Sequence, residues 1–588
     1  MKRYISIPIM LGFICWSCSE DFLERYPLDE LSPQQYFKTA NDLKLYANSF
    51  YTLFPAHQMY YGGTFYTDQN SDNLVPTVPD MRLSGIRTIP STGGGWDWSN
   101  IREANYFLDH TTDFLSATDE SIIYVAEVKF FKAYLYFHMV KTFGDVPWFT
   151  SALTTESPEL FAPRDSRKVV VDSIIACLDF AIANLKGIQE TEPARVNKES
   201  ALLLKARVCL YEGTWEKYHQ GTPFGVTGED GSVFLQKAAE AAESLMQTGT
   251  VGLYKGPDGA EYWSLFNQLD YMENPEVLLW KKFDVDLGVY HLLGQYLPNA
   301  GGDMGITKSF ADDYLCIDGK PISVSPLFLG YDSISLEAQN RDPRLAQTIF
   351  LPGHMQTINT PPGIPEIQFS KPPIDRVGQW RATTGYCLYK GVNPEYSQQL
   401  GSGGWMGSII FRFSEALLIY AEAKAELGTI TQNDIDISVN LLRGRVGMIP
   451  MDLGTIATDP DWDFPELSPV INEIRRERRI ELAFEAARWD DLARWRAHHL
   501  IENKRPKGIK YIGSNLEDTY FDIDGSGRPS IIVGENFYVD AEGFTDPYQV
   551  ALPNGFGFNP LRDYLAPIPS DEITLNENLV QNPGWNQE

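Results

Sequence analysis

The sequence predicts a mostly α-helical protein in which stacked helical hairpins carry a large loop-rich insertion. Three observations lead there. Between about residues 120 and 250, apolar residues recur at helical spacing in successive segments, each followed by a glycine. From Gly256 to Gly407 the composition changes to Gly, Pro, Asn and aromatic residues, with only short regular pieces such as Val277 to Phe283. After that, long helix-forming runs return, above all Ile474 to Trp495, which holds neither Gly nor Pro.

The chain opens Met-Lys-Arg, runs through an apolar stretch from Tyr4 to Trp16 and reaches Ser17-Cys18. A basic start, a short apolar core and a small residue before a cysteine predict a signal peptide over 1–17, with Cys18 as an acylated residue that ties the protein to a membrane. The apolar stretch is too short to span a bilayer, and no later uninterrupted run reaches about 18 residues.

Asp21 to Ser32 reads as an extended tether and Ala40 to Leu53 as a first helix. Pro55 to Trp98 breaks every periodicity, yet its load of Tyr, Phe and Trp argues for an ordered, functional loop. Tyr124, Val128, Phe131, Leu135 and Met139 define a helix ended by Gly144 and Pro147. Val171 to Leu185 closes at Gly187, Ala201 to Tyr211 at Gly213, and Leu235 to Leu245 at Gly249. Domain limits follow as 18–255, 256–407 and 408–588.

Ile474 to Trp495 reads as one helix, with Leu482, Ala486, Trp489 and Ala493 in an apolar stripe and Arg478, Glu481, Glu485 and Arg488 in a row beside it. Phe484, Trp489 and Trp495 crowd that row. The reading is therefore a partly buried set of ion pairs, joined by Arg412, Glu415 and Glu422 from Phe411 to Ala423. A salt-bridged surface helix is the alternative.

The order of residues in Ile474 to Trp495 resembles the C-terminal signature of the SusD/RagB family of nutrient-binding outer-membrane lipoproteins. Ala126 to Pro147, Arg341 to Leu345, Thr384-Gly385-Tyr386, Phe411 to Ala423, Leu565 to Pro569 and Gln581 to Trp585 are similar to other stretches of the same family. The resemblance implies tetratricopeptide-like helix pairs as the scaffold and a SusC-like TonB-dependent outer-membrane transporter as the partner. It also implies an oligosaccharide ligand and, from Ser19-Glu20-Asp21 after the cysteine, a place on the outer face of the outer membrane.

Composition narrows the function further. With 78 acidic and 49 basic residues the formal charge is −29, and the cations form no stripe, which excludes nucleic acid as a partner. The six cysteines are scattered, against both a zinc site and a disulfide framework; Cys177 and Cys209 read as buried thiols. Metalloprotease, serine-hydrolase, P-loop and dinucleotide motifs are absent. No cofactor is expected. A glycosidase needs only two carboxylates at no fixed spacing and stays as the alternative from another class, although Arg neighbours would keep Glu481 and Glu485 ionised. Asp522, Asp524 and Ser526 imitate the start of a calcium loop, but position twelve is Val533, and a plain Asp/Gly turn is the preferred reading.

Binding is the function the residues favour. Aromatic rings in Gly-rich loops can stack on the C–H face of a sugar while amides and charges take its hydroxyls. The candidates are Trp96, Tyr66, Asp72, Asn73 and Arg82 in the first loop and Trp380, Tyr396 and Trp405 in the insertion, with Trp96 first because the resemblance points to that loop. Peptide capture is the alternative ligand.

Overall fold

In a computed structural model the structure describes residues 37–59, 62–114, 120–401, 403–520 and 530–585. The leader, Cys18, the tether and the Asp522, Asp524, Ser526 turn lie outside them. The longer helices are α1 (Ala40–Ser49), α2 (Ser99–Asp109), α3 (Ser121–Phe143), α4 (Arg167–Asn184), α5 (Lys198–Tyr218) and α6 (Ser232–Met246). They pack in succession, α2 on α3, α3 on α4, α4 on α5 and α5 on α6, as stacked helix pairs do. Their core is apolar and sealed: Val128, Phe131, Leu178, Leu204 and Leu235 are all buried. No described helix is long and apolar enough to cross a membrane.

Local chemistry sets most of the ends. Thr39 caps α1 through a capping box with Asp42, and the helix tightens to a 3₁₀ turn over Phe50–Leu53. Gly144 ends α3 at φ +74, and its N–H donates to the Val140 carbonyl. Two glycines act differently from the expectation. α4 stops at Asn184, before Gly187, because the chain turns extended at Leu185. α5 runs straight through Gly213 to Tyr218; a Cβ there would sit 2.8 Å from the Leu235 nitrogen and 2.9 Å from the Gly231 carbonyl. Gly213 is a contact glycine that lets the start of α6 approach α5, not a stop signal.

Beyond α6 the chain builds a second core beneath short elements, with Tyr262, Phe310, Tyr314, Phe350 and Tyr386 buried in it. The described strands form three antiparallel pairs: β1 (Leu74–Pro76) with β3 (Met304–Ile306), β2 (Val277–Lys281) with β6 (Ser408–Arg412), and β4 (Met355–Thr357) with β5 (Ile367–Gln368). The β2–β6 pair leads directly into α7 (Phe413–Glu426), which packs on α6.

The single helix expected over Ile474 to Trp495 is two. α9 (Pro469–Glu481), which follows α8 (Val439–Arg445), ends at Glu481, and α10 (Arg488–Arg494) begins after a sharp turn. Phe484 and Ala486 sit there at φ +62 and +65 without glycine. Partners from elsewhere hold the turn. The Phe484 N–H donates to Asp68 Oδ2 at 3.0 Å, and Tyr262, Arg412 and Lys390 donate to the carbonyls of Glu481, Glu481 and Ala483. Cations and hydroxyls at carbonyls of a helix end replace the usual glycine cap. The continuous apolar stripe through Leu482, Ala486, Trp489 and Ala493 therefore does not form.

Candidate functional site

Burial is the first property of the charged row. Arg478, Glu481 and Arg488 are all buried, so this is not a surface helix. The row does not pair with itself. Glu481 accepts from Arg412 and Arg445 at 2.7 Å and from Arg344 at 3.1 Å. Glu485 takes Lys390 and Arg412, both at 2.6 Å, while Arg478 bonds Asp491 and Arg488 bonds Asp72. Glu415 bonds Arg207 and Glu422 bonds Arg494. The carboxylates and guanidiniums thus sew the insertion, through Arg344 and Lys390, to α8 and α9. Burial alone would raise the Glu481 carboxyl, but the three guanidiniums outweigh it and hold it well below the ordinary range. A carboxylate so held cannot serve as a general acid.

The first loop is largely spent on the same seam. Asp72 accepts from Arg488 through both oxygens at 2.7 Å, and Asn73 joins Asp68 to Arg479 at 2.9 Å on each side. Tyr66 is buried, with its hydroxyl raised by desolvation. Arg82 lies 4.2 Å over the Trp489 ring. Trp96 meets Phe143 and Trp98 edge-on at 4.9 and 5.2 Å and is only 8% exposed, on the wall of an apolar groove of about 610 Å³. Asp72 and Asn73 face inward because the arginines beside them must be neutralised, and Trp96 because its ring packs on Phe143 and Trp98.

An open cleft of about 420 Å³ lies instead where three turns of the insertion meet, lined by Gln295, Tyr296, Asn299, Gln379, Trp380 and Gln399. Leu293–Tyr296 passes into the 3₁₀ turn Leu297–Asn299; Gly378–Trp380 and Tyr396–Gln399 are 3₁₀ turns as well. Close backbone contact fixes their relation. A Cβ on Gly301 would stand 2.7 Å from the Trp380 carbonyl carbon, one on Gly294 would stand 2.1 Å from the Gln398 oxygen, and the Gly302 N–H donates to the Gln379 carbonyl at 2.8 Å. Ala300, with φ +58, turns the chain between them.

Among the described residues two aromatic rings line this cleft. Tyr296 and Trp380 lie 6.3 Å apart with planes inclined by 28°, and Trp380 is 40% exposed. Amides surround them. Gln399 is committed to the wall, donating to the Gln356 and Pro394 carbonyls and accepting from Thr357. Asn299 donates to the Gln295 carbonyl at 2.6 Å and keeps its own oxygen for other partners. The side-chain amides of Gln295 and Gln379 take no partner among the described residues. Apolar faces with available amide donors and acceptors match the two kinds of surface a pyranose presents. Among the described residues no carboxylate lines the cleft.

Of the residues nominated from sequence, Trp380 lines the cleft directly and Tyr396 starts the turn that carries Gln399. Trp405 is half-buried, its backbone N–H on Gln398 Oε1. Gln295, Tyr296, Asn299, Gln379 and Gln399 were not nominated. The string Gln-Tyr-Leu-Pro-Asn, an aromatic flanked by amides and broken by proline, is the signal that would have found the first three. Among the described residues no three His, Cys, Asp or Glu side chains converge as metal ligands would. Cys177, Cys209, Cys316 and Cys387 are free and buried.

Comparison with known proteins places this helix-pair scaffold and its irregular, cleft-bearing insertion. The SusD family model matches residues 284–585, and the chain belongs to that family. It is 24% identical over 523 residues to SusD-like protein P38 of Formosa agariphila, covering 84% of this chain and 92% of that protein. SusD-like protein P2 of the same organism is 22% identical over 600 residues, with both chains covered in full. Among solved structures, a SusD-like carbohydrate-binding protein from Bacteroides fragilis superposes with a TM-score of 0.68 at 20% identity, covering 93% of this chain and 100% of that one. A structure with xylogluco-oligosaccharide superposes at 0.57 and 16% identity, covering 91% and 97%.

Proposed function

We propose that this SusD-family protein captures an oligosaccharide in the Tyr296–Trp380 cleft and holds it without turnover. The observation that carries the reading is the pairing of an exposed tryptophan and a tyrosine with the side-chain amides of Gln295 and Gln379, which take no partner among the described residues. The solved relative with xylogluco-oligosaccharide supports the ligand class. Acylation at Cys18 would keep the protein on the outer membrane, and a SusC-like TonB-dependent transporter would receive the glycan from it. A tether raises the local concentration of the binder beside its channel, which is the physical gain from anchoring.

Calorimetric titration with oligosaccharides tests the site. Trp380→Ala removes one stacking face and is expected to weaken binding about tenfold or more, with the thermal melt unchanged because the ring is exposed. Undiminished affinity would remove the cleft from the binding site. Release of reducing ends by the purified protein would replace binding with hydrolysis.

A further inference from the structure

The geometry points to a neutral ligand: the Tyr296–Trp380 cleft selects oligosaccharides without uronate or sulfate groups and turns anionic glycans away. This rests on the binding reading above and adds the chemical class of the sugar.

The lining carries the first half of the argument. Among the described residues two rings and four amides form the cleft, and no Lys, Arg or His is among them. Amides satisfy hydroxyls, whose hydrogen bonds are neutral on both sides. A carboxylate or sulfate brought against the same wall would lose water without gaining a cation. The cation nearest in sequence, Arg381, is half-buried and does not line the cleft; burial lowers its guanidinium, opposed by the charge of Asp303, whose carboxylate accepts from Thr77.

The second half concerns where the other cations are. The chain holds 49 basic residues against 78 acidic ones. Arg344, Arg412, Arg443, Arg478, Arg488 and Arg494 are buried in internal ion pairs and contribute nothing to the outer field. Their carboxylate partners are withdrawn with them, so the seam is close to neutral and the excess of 78 acidic over 49 basic residues is carried by the rest of the protein. Such an excess repels polyanions at long range before any contact forms.

Affinity electrophoresis of the full protein in gels cast with single polysaccharides provides the test. Neutral probes are starch, xyloglucan, glucomannan and arabinoxylan; anionic probes are polygalacturonate, alginate and carrageenan. Each is run at about 20 and 150 mM salt, since screening weakens the repulsive field but not the missing cation. The expected result is retardation by at least one neutral glycan, lost in Trp380→Ala, and none by any anionic glycan at either salt. Retardation by an anionic glycan as strong as by the best neutral one overturns the inference, whether or not Trp380 is needed. Retardation by neutral glycans that survives Trp380→Ala separates the two claims, because it removes the cleft and leaves only the field. No retardation by either class sinks the binding reading and this one with it.

Discussion

Replacing Glu481 by Gln keeps the side chain's shape and removes one negative charge from a point where three guanidiniums converge. Arg344 would keep Asp342 and Glu477, Arg412 would keep Glu276 and Glu485, and Arg445 would keep Glu276. None is stranded outright, so the loss falls toward the lower end for breaking a buried pair, about 3 kcal/mol. Urea unfolding followed by circular dichroism reads this as a lower midpoint at unchanged slope. The pH dependence has a definite sign. Folding depresses the Glu481 carboxyl below its ordinary 4.5, against the upward push of burial, because of Arg445, Arg412 and Arg344. Its stabilisation is complete above the unfolded-state value and fades as the pH falls toward the folded-state one. The gap between wild type and Glu481→Gln is therefore constant from about pH 8 to 6 and narrows below about pH 4.5. A loss under about 1 kcal/mol at pH 7, or a gap that widens in acid, would refute the claim that this seam is held by charge.

Three further outcomes follow from the same geometry. Gly301→Ala places a methyl 2.7 Å from the Trp380 carbonyl carbon and is expected to shift the turn, lowering glycan affinity about tenfold by titration and lowering the melt as well, because the clash is with backbone. Trp96→Ala opens a void beside Phe143 and should cost about 3 kcal/mol in urea while leaving glycan affinity intact. Glu216 is buried without a hydrogen-bond partner among the described residues, and burial, then the charge of Glu212, pushes its carboxyl up to about 8. A raised carboxyl destabilises increasingly as the pH climbs from its unfolded value toward 8; Glu216→Gln should therefore gain stability at pH 8 and none below about pH 4.5, as melts at the two pH values would report.

How much could be read from the chain depended on whether the signal was local. Helices α4 and α6 follow from apolar spacing because each buries one face against its neighbours, and α3 follows from a long apolar run that is buried on nearly every side. Gly144 read correctly as a stop because its φ demands it, whereas Gly213 is in the sequence for a contact with Leu235 that no local pattern encodes. The break after Glu481 was invisible for the same reason: its carbonyls are taken by Tyr262, Arg412 and Lys390, which lie far away in sequence. Charge alternation in α9 was legible as a buried network, but its partners were not, since Glu481 reaches Arg344, Arg412 and Arg445 rather than Arg478. The cleft suffered most. Of the nominated residues Trp380 lines the cleft proposed as the site, whereas the polar groups of Asp72 and Asn73, also nominated as ligand contacts, answer the arginines of α9 and α10. A polar residue in a loop states what it can bind, and only the fold states which partner arrives first.

Crystals of the full protein soaked with a neutral oligosaccharide that retards it would decide the central point. The account predicts a sugar ring stacked on Trp380 beside Tyr296, with hydroxyls on the amides of Gln295 and Gln379 and the oxygen of Asn299. A glycan seated elsewhere, such as in the apolar groove beside Trp96 and Phe161, with the Tyr296–Trp380 cleft holding none, would contradict it.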